Sequence, residues 1–402
     1  MSSIKGGPGR SDISVNSGSN EVSGKGPALA AKVAAKVAAG ASQIVARPED
    51  APSSGRGVYV QSTANQQISL NAADDDIILN SGGANTVFGS GSAQQSVIDD
   101  NGGLVYVTRG GSGTLVTGDG KNFIVAPSVG GGAFDISTGS GDDVVLALSG
   151  TNTISAGGGV NFIGCGNGDD SVTGGGSRDV IFGTGRGSLN VTAGGGDELM
   201  APGSMNLTYI GGAGGTTVFG GLGSDTASAG SGGGIIVGGA AGKNVLTGGN
   251  GSGTTTLFGG GDGDLLSARG FSATTIVAGS GNETLTGAAS SADNTYYALA
   301  GGNVVLQGGN GADTFVIGAG NTTVDGGPGR DLISIVAGGQ GTVTVRSFNG
   351  GEKISLQGYA AGEANRALSA AAASGTPANL VMSDGTKINF VGATQLDARS
   401  FV

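Results

Sequence analysis

Two glycine-rich turns hold the side chains that are best suited to bind a ligand. Segments 308–313 and 326–331 both read G-G-x-G-x-D, and each is followed two positions later by an apolar side chain, Phe315 or Ile333. The two apolar residues therefore repeat at the same offset as the two turns. Glycine lets successive backbone carbonyls converge, and aspartate is short enough to reach a ligand beside its own turn. Such an oxygen-rich turn suits a hard cation that takes about six to eight oxygen ligands.

Several other turns match this pattern less fully. Segment 220–225 matches through Asp225, but Ala227 stands at the following apolar position. Two shorter glycine turns end in acid pairs whose second members are Asp143 and Asp170. Segments with fewer matching positions are 72–78, 194–198, 260–264 and 279–283.

The composition excludes several classes of enzyme and narrows the class of partner. The chain has 402 residues, of which 88 are glycine, with no histidine, no tryptophan and one cysteine. Without histidine, neither a Ser-His-Asp nor a Cys-His nucleophile system nor a His-ligated metal site can form. One cysteine allows no internal disulfide. A net charge of −11 argues against a nucleic-acid partner, which needs a basic surface.

The glycine turns are periodic, and the period predicts the fold. From about residue 58 to residue 348, short β-prone runs recur every nine to ten residues, so that two runs make one repeating unit. Such short strands pair poorly as hairpins, whereas a chain that turns at this period can stack each strand on its equivalent one coil earlier. We therefore predict an all-β fold, a parallel β-solenoid of the β-roll or β-helix type.

Changes in glycine content divide the chain into four regions. The sequence contains no run of about 18 apolar residues, so no transmembrane helix is predicted. The N-terminal segment also lacks the apolar centre of a cleavable signal peptide. Region 349–402 contains β-prone runs, an alanine-rich helix candidate and an Asp-Gly hairpin signal. The predicted regions are a flexible segment at 1–26, a helix (27–46) with its linker at 27–56, the β-solenoid at 57–348, and a small α+β cap at 349–402.

The repeated turns resemble those of the RTX family, whose hemolysin-type nonapeptide repeats form a calcium-binding β-roll. The resemblance implies Ca²⁺ as the ligand, bound by turn carbonyls and aspartates of adjacent coils. Asp313 and Asp331 are then expected to flank one shared ion, with the backbone around Asn310 and Pro328 as co-ligands. The same resemblance implies calcium binding at the weaker turns that contain Asp225, Asp143 and Asp170.

Most coils depart from the family pattern, so we expect few calcium sites rather than a continuous row. The turns at 185–187, 232–234 and 251–253 lack a carboxylate. Asparagines recur at the start of the β-prone runs, where they either cap turns or bond one coil to the next without metal. They are Asn85, Asn152, Asn161, Asn190, Asn244, Asn303 and Asn321.

The C-terminal region is similar to the segments that close RTX β-rolls. Segment 348–359 resembles the closing strand, and 384–402 loosely resembles tails that carry an uncleaved type I secretion signal. This resemblance implies export by type I machinery and a secreted or cell-surface location. The alternative is a plain cap over the last open edge of the solenoid.

These observations predict a non-enzymatic, calcium-binding building unit of an extracellular matrix, surface layer, filament or adhesin. The expected partners are Ca²⁺, other copies of the chain or a surface polysaccharide, and the secretion machinery. One alternative is a polysaccharide-acting β-helix enzyme, although six tyrosines and no tryptophan leave few aromatic platforms for sugars. Another is a solenoid that binds ice or a similar repetitive surface through threonine pairs at 216–217, 255–256 and 274–275.

Other residues have simpler interpretations. The acid pairs 142–143 and 169–170 could act as glycosidase carboxylates, but their place in repeat turns favours calcium or solvation. Cys165 is expected to be a small buried residue. Two lysines, Lys32 and Lys36, are too few to make the predicted helix a membrane binder.

Overall fold

The computed structural model describes residues 102–126, 132–349, 351–392 and 396–402 without interruption. Ahead of them it describes 2–4, 13–15, 31–32, 35, 42–45, 56–61, 64–70, 75–79, 83–91 and 94–99. The chain forms two compact units, Met1–Asn206 and Leu207–Val402. Counted over both units there are about 14 turns of parallel β-solenoid, which confirms the predicted fold class.

In the first unit, successive coils contribute strands to two parallel sheets, here called sheet A and sheet B. Strand Phe162–Thr173 belongs to both, because its first part pairs with Val144–Ser149 and its last part with Gly187–Thr192. Sheet A also contains Gln67–Ser69, Asn85–Phe88, Leu104–Val107, Phe123–Ala126, Asp179–Gly183 and Glu198–Ala201. Sheet B also contains Ser42–Val45, Arg56–Gln61, Asp75–Leu79, Gln94–Asp99, Ser112–Val116, Phe134–Ser137 and Thr153–Ser155. Ser2–Ile4 and Ile13–Val15 form a separate antiparallel pair.

Alternate residues of each strand point inward and form apolar columns. In sheet A, Ile124, Val145, Ile163 and Ile181 are register partners in successive coils, and each is at most 1% exposed. Ile124 and Val145 lie farther apart along the chain than Val145 and Ile163 do. The core of this unit is therefore a narrow stack of aliphatic side chains, and the length of a coil is not constant.

The second unit repeats this arrangement in two sheets, here called sheet C and sheet D. Strands Thr295–Gln307 and Thr314–Asp325 each run through both. Sheet C also contains Thr216–Phe219, Gly234–Val237, Thr255–Phe258, Thr274–Val277, Leu332–Val336 and Lys353–Gln357. Sheet D also contains Asn206–Ile210, Asp225–Ser228, Val245–Thr247, Leu265–Gly270, Asn282–Ser290, Thr342–Arg346 and Lys387–Val391.

The predicted apolar positions of the two best motifs lie in one inward column of sheet C. Tyr296, Phe315, Ile333 and Ile354 are register partners with 0% exposure. The rings of Tyr296 and Phe315 stack with their centroids 4.8 Å apart. The offset between Phe315 and Ile333 that the sequence shows is thus the true length of this coil.

The C-terminal region adds a helix and a hairpin to the second unit. Helix Glu363–Ala373 is followed by the antiparallel pair Asn379–Val381 and Lys387–Val391, and Ala398–Ser400 forms a short 3₁₀ turn. Lys387–Val391 also pairs in parallel with Thr342–Arg346 and so extends sheet D. The strand, helix and Asp-Gly hairpin expected here are all present.

The region predicted as an N-terminal helix is only partly described. Ala31, Lys32 and Ala35 are helical, but Ser42–Val45 is a strand that pairs in parallel with Arg56–Gln61. The partner strand outweighs local helix propensity there, because β-branched residues at both strands suit a paired sheet. The remainder of the predicted helix, including Lys36, and most of 1–26 lie outside the described residues. Among the described helical residues, none forms a helix long and apolar enough to cross a membrane.

Some turn glycines are needed because successive coils approach too closely for a Cβ atom. A Cβ on Gly157, Gly175 or Gly194 would overlap the carbonyl oxygen of the equivalent glycine one coil earlier. None of these three has a positive φ, so close approach rather than left-handed geometry requires glycine here. The neighbouring Gly176 has open space at its Cβ position.

We expect Gly175→Ala to destabilise the protein and Gly176→Ala to leave it nearly unchanged. Both substitutions remove the same glycine freedom from the unfolded chain, so their difference reports the overlap with the Gly157 carbonyl. The free energy of unfolding should fall by about 1–3 kcal/mol for the first and change by less than about 0.5 kcal/mol for the second. Urea unfolding followed by circular dichroism measures both. Equal midpoints would show that the coils separate easily.

Candidate functional site

The two best-predicted aspartates lie side by side in adjacent coils of the second unit. Asp313 and Asp331 directly precede the sheet C segments that begin at Thr314 and Leu332, which are register partners. Each aspartate is 1% exposed, and the Asp313 N–H donates to Asp331 Oδ1 at 2.9 Å. Asn310, in contrast, is exposed in the turn, as is Pro328.

These aspartates belong to a larger set of buried polar side chains at the starts of sheet segments, here called the polar ladder. Every member is at most 4% exposed and points into the coil, alongside the apolar columns. The members in the first unit are Asn122, Asp143, Asn161, Asp179 and Glu198 in sheet A, and Asn152 and Asp170 in sheet B. Those in the second unit are Asp225, Asn244, Asp264 and Glu283 in sheet D, and Asn294, Asp313, Asp331 and Glu352 in sheet C.

Ladder side chains bond each coil to the one before it. Asp143 Oδ1 accepts from the N–H of Asn122 at 2.8 Å, and Asn161 Oδ1 accepts from the N–H of Asp143 at 3.0 Å. Asp179 Oδ1 continues the series by accepting from the N–H of Asn161 at 3.1 Å. A buried backbone N–H needs an acceptor, so these side-chain oxygens hold neighbouring coils together.

The asparagine amide nitrogens are surrounded by oxygen atoms. Asn122 Nδ2 donates to the carbonyls of Gly118 (3.2 Å) and Gly120 (2.8 Å) and to Asp143 Oδ1 (2.8 Å). The Nδ2 of Asn294 likewise lies 2.9 Å from its own turn's Ala292 carbonyl and 3.1 Å from the next coil's carboxylate. Each of these two amide nitrogens thus donates both to a carbonyl of its own turn and to a carboxylate of the next coil.

Several ladder acids also accept a hydrogen bond from their own turn, among them Asp225 (3.3 Å) and Glu283 (2.9 Å). In three aspartates the other carboxylate oxygen has donors as well. The N–H of the residue four positions earlier donates to Oδ2 of Asp179 (2.8 Å), Asp264 (2.8 Å) and Asp313 (2.7 Å). Both oxygens of these carboxylates therefore have donors. Hydrogen bonds of this kind stabilise the ionised form of a buried acid.

Three other acids follow directly on these aspartates and are poorly satisfied. Burial raises the pKa of Glu198 and of Glu283 to about 7 and that of Asp331 to about 6, and the carboxylate one coil earlier raises each further. Both oxygens of Glu198, Oε1 of Glu283 and Oδ2 of Asp331 are buried without a well-formed hydrogen bond. A buried acid beside another acid needs a proton or a cation.

The remaining predicted ligands have asparagine neighbours instead of acids. Asp143 lies between Asn122 and Asn161, and Asp170 Oδ1 accepts from both the main chain (3.0 Å) and the amide (2.8 Å) of Asn152. Burial raises the pKa of Asp143 and of Asp170 to about 6 and also raises that of Asp225. Each of these three carboxylates still leaves one buried oxygen without a well-formed partner.

No cluster of three or more His, Cys, Asp or Glu side chains is present in the part of the chain that the structure describes. At any cation site in this region, backbone carbonyls would therefore have to provide much of the coordination. Calcium accepts such ligands readily.

The paired acids of the repeat turns do not face each other. In each pair the second residue is buried and the first is exposed, as expected for neighbours on one strand. Asp142 forms an ion pair with Lys121 at 3.1 Å, and Asp169 accepts from Ser188 Oγ at 2.7 Å. The facing carboxylates that a glycosidase needs are thus not formed by these pairs.

Sequence patterns missed Asp179 and gave the segments that end at Glu198, Asp264 and Glu283 only as weaker matches, without assigning ligands there. The turns before these four acids have fewer glycines than the two best turns, or have them at a different spacing. A different signal marks them: a polar residue two positions before a buried apolar residue. Whether such a residue belongs to the ladder depends on its register with the neighbouring coil. The signal can therefore be recognised only when the length of each coil is known.

The asparagines singled out in the sequence divide into two groups. Asn85, Asn152, Asn161 and Asn244 are buried, and their Oδ1 atoms accept from a backbone N–H one coil earlier. The exposed ones behave differently, as when Asn303 Nδ2 donates to Asn282 Oδ1 at 2.6 Å and Asn321 Nδ2 to Asn303 Oδ1 at 3.2 Å.

The outer surface of sheets A and C is apolar at many positions. Exposed side chains on sheet A include Phe123, Phe162 and Leu199. On sheet C they include Phe219 and Phe258. Large exposed apolar patches commonly mark interaction surfaces.

The predicted threonine pairs split between the inside and the outside of sheet C. The first member of each pair is buried, whereas the second points outward. Thr256, Thr275, Thr295 and Thr314 form one outward column of register partners, bounded by Ile235 and Leu332. Elsewhere, in the first unit, Cys165 is a buried core residue, as expected, and burial raises the pKa of its thiol.

Comparison with known proteins gave no relative. A scan against protein-family models, a search of curated proteins and a search of solved structures each found no match to this chain.

We expect Asn161→Ala to destabilise the first unit by about 2–4 kcal/mol. The substitution leaves the N–H of Asp143, a carboxylate oxygen of Asp179 and two turn carbonyls without this partner, and buried unpaired groups are costly. The matched control is Asn190→Ala, which truncates an exposed asparagine and should change the free energy of unfolding by less than about 0.5 kcal/mol. Chemical denaturation measures both, and similar losses would contradict a structural role for the ladder.

In metal-depleted buffer we expect the chain to be less stable at pH 7.5 than at pH 5. Burial, reinforced by Asp179 and Asp264, raises the pKa of Glu198 and of Glu283 to about 7, so the folded chain holds protons that the unfolded chain releases near pH ~4. The contribution of these two protonated acids to folding stability is complete below the pKa of the unfolded chain and is lost as pH rises through about 7, the pKa in the folded chain. The urea midpoint should therefore fall with rising pH, and fall less in a Glu198→Gln/Glu283→Gln variant. A midpoint that rises over this range would contradict the assignment.

Proposed function

We propose that this chain is a secreted, non-enzymatic structural protein of the RTX type, whose buried turn carboxylates bind Ca²⁺ outside the cell. The single observation that carries the proposal is the stacking of buried acids in neighbouring coils, as at Asp313 and Asp331. Their oxygens are not all satisfied by donors of the chain itself.

A buried acid beside another acid can be neutralised by a proton, a basic side chain or a bound cation. Among the described residues, Lys121 forms an ion pair with Asp142 and Arg366 with Glu363, and neither of these acids belongs to the ladder. The surrounding ligand atoms are carboxylate and carbonyl oxygens, which favour a hard cation over a soft one. Calcium fits this donor set.

At the best-defined position, the carboxylates of Asp313 and Asp331 would hold the ion together with turn carbonyls around Asn310 and Pro328. The ion would supply positive charge where two carboxylates meet, and so would remove the cost of burying them. Because it binds the folded chain and not the unfolded one, it would stabilise the fold by RT ln(1 + [L]/Kd).

This linkage supports a role for calcium in export and folding. Cytosolic calcium is too low to fill weak sites, so the chain would stay loosely folded inside the cell. After type I export, which the resemblance of the C-terminal tail implies, higher external calcium would favour the folded solenoid. Folding would then coincide with arrival at the cell surface.

The exposed apolar side chains of sheets A and C support a structural or adhesive role. Phe123 and Phe162 on the first unit and Phe219 and Phe258 on the second lie outside the core. Removing such side chains from water favours association. We propose that the folded chain associates with other copies, or with surface polysaccharide, in a matrix, surface layer or filament.

A second candidate function, binding to ice or another repetitive surface, has weaker support. The outward column of Thr256, Thr275, Thr295 and Thr314 repeats at the strand spacing. The next outward column carries Phe258, Val277, Tyr297 and Val316, so threonine forms a single column of four.

The test is circular dichroism and sedimentation velocity of the full chain with and without Ca²⁺. Millimolar Ca²⁺ is expected to raise the urea midpoint and the sedimentation coefficient, and EGTA should reverse both changes. The same concentration of Mg²⁺ is the control, since its demand for a small octahedral shell suits this site poorly. If EGTA alters neither the fold nor the assembly, the calcium mechanism is wrong.

A further inference from the structure

The polar ladder contains the same three-residue series in three separate places. In each series an asparagine is followed one coil later by an aspartate, and one coil later again by a second acid, called here the end acid. In sheet C the ladder continues one coil beyond the end acid to a further buried acid, Glu352. We name each series a triad. The triads are Asn161–Asp179–Glu198 in sheet A, Asn244–Asp264–Glu283 in sheet D and Asn294–Asp313–Asp331 in sheet C.

The first link of every triad has the same geometry. The aspartate Oδ1 accepts from the asparagine N–H, at 3.1 Å for Asp179, 2.8 Å for Asp264 and 2.7 Å for Asp313. The same oxygen accepts from the asparagine Nδ2, at 2.8, 3.0 and 3.1 Å respectively. The aspartate's other oxygen is held by its own turn, as described above, so the middle carboxylate is fixed in place.

The second link of every triad lacks the side-chain amide donor that the first link has. An end acid has no amide N–H₂, and the aspartate before it cannot donate from its side chain. Glu198, Glu283 and Asp331 are all buried, with 3%, 3% and 1% exposure, and each has at least one oxygen without a well-formed hydrogen bond. Two buried carboxylates therefore meet with no positive charge and no side-chain donor between them. Main-chain N–H groups reach only one oxygen of Asp331, from Asp313 (2.9 Å), and one of Glu283, from Gly279 (2.9 Å).

The first link indicates what is missing from the second. Where asparagine is the residue one coil before an acid, its Nδ2 lies between the carbonyls of its own turn and the carboxylate of that acid. For Asn161 these acceptors are the carbonyl oxygens of Gly158 and Gly159, at 3.3 and 3.5 Å, and Asp179 Oδ1, at 2.8 Å. Where aspartate takes the place of asparagine, its Oδ2 accepts from an N–H of its own turn, so no side-chain donor reaches the end acid one coil later. The buried carboxylate oxygens that the end acids leave without a donor are ligands that suit a hard cation.

We propose that each triad binds one divalent cation, Ca²⁺, between its aspartate and its end acid, and that an asparagine amide nitrogen takes the place of the cation wherever asparagine is the residue one coil before an acid. This inference rests on the proposed function and specifies its sites. It adds Asp179–Glu198 and Asp264–Glu283 to the Asp313–Asp331 pair. It assigns no ion to Asp143 or Asp170, because the ladder residues one coil earlier are asparagines, Asn122 and Asn152.

The experiment is a count of bound Ca²⁺ on the full chain by equilibrium dialysis and titration calorimetry. Glu198→Gln, Glu283→Gln and Asp331→Asn are each expected to lower the count by one, and the triple variant by three. Asp197→Asn is the matched control, because it removes the same charge from the exposed neighbour of Glu198 and should leave the count unchanged. Circular dichroism establishes that each variant is folded.

Two further variants separate the triad rule from a simpler one. If every turn aspartate bound calcium, Asp143→Asn would lower the count, whereas the triad rule expects no change. Asn161→Asp removes the amide nitrogen and supplies a carboxylate, so the count is expected to rise by at least one. This gain remains informative if an end-acid variant does not fold.

The outcomes distinguish the inference from the function on which it rests. A wild-type chain that binds no Ca²⁺ would overturn the proposed function and leave the end acids protonated. Binding that survives all three end-acid substitutions, or that is lost in Asp143→Asn, would retain calcium and overturn the triads. Loss confined to the end-acid variants, with a gain in Asn161→Asp, supports both.

Discussion

The backbone N–H at the start of each sheet segment must find an acceptor in a neighbouring coil. A coil of a parallel solenoid enters each sheet from a glycine turn, and its first N–H is buried where water cannot reach it. An unpaired N–H in that place is costly. A side-chain oxygen from the next coil meets the need at Asn122, Asp143 and Asn161, at 2.8 to 3.1 Å. The row of buried asparagines and acids inside an otherwise apolar core follows from this requirement.

Meeting that need with carboxylates creates a second problem, which is charge. A buried carboxylate is acceptable when donors surround it, as the turn N–H and the asparagine amide surround Asp179. A buried carboxylate becomes unfavourable when the ladder residue in the neighbouring coil is also an acid. Burial, together with that neighbouring carboxylate, raises the pKa of Glu198 and Glu283 to about 7. At these two positions the free energy of folding depends on whether the acid takes up a proton or a cation, and therefore on the pH and the cation concentration of the solution. The proposed calcium function rests on this dependence.

Much of the fold was predictable because the repeat is local. The short period of the glycine turns predicted short stacked strands, and the shared offset of the two best motifs placed Phe315 above Ile333 and Asp313 beside Asp331. The triads were not predictable in the same way. Coils differ in length, so Glu198 and Glu283 could not be placed in register with the correct partners. Ser42–Val45 escaped prediction for a related reason, since its strand depends on pairing with Arg56–Gln61.

The sequence by itself determined the parallel solenoid, because glycine turns at a short period leave a chain few other ways to pair its strands. It also determined that oxygen ligands and no histidine are available for chemistry. Only the tertiary structure decided which acids meet. Neighbours in the ladder are separated by a whole coil of chain, and whether an amide or a carboxylate lies beside a given acid depends on coil-to-coil register. That register is set by how closely the glycine turns stack, a contact between coils that no single repeat contains.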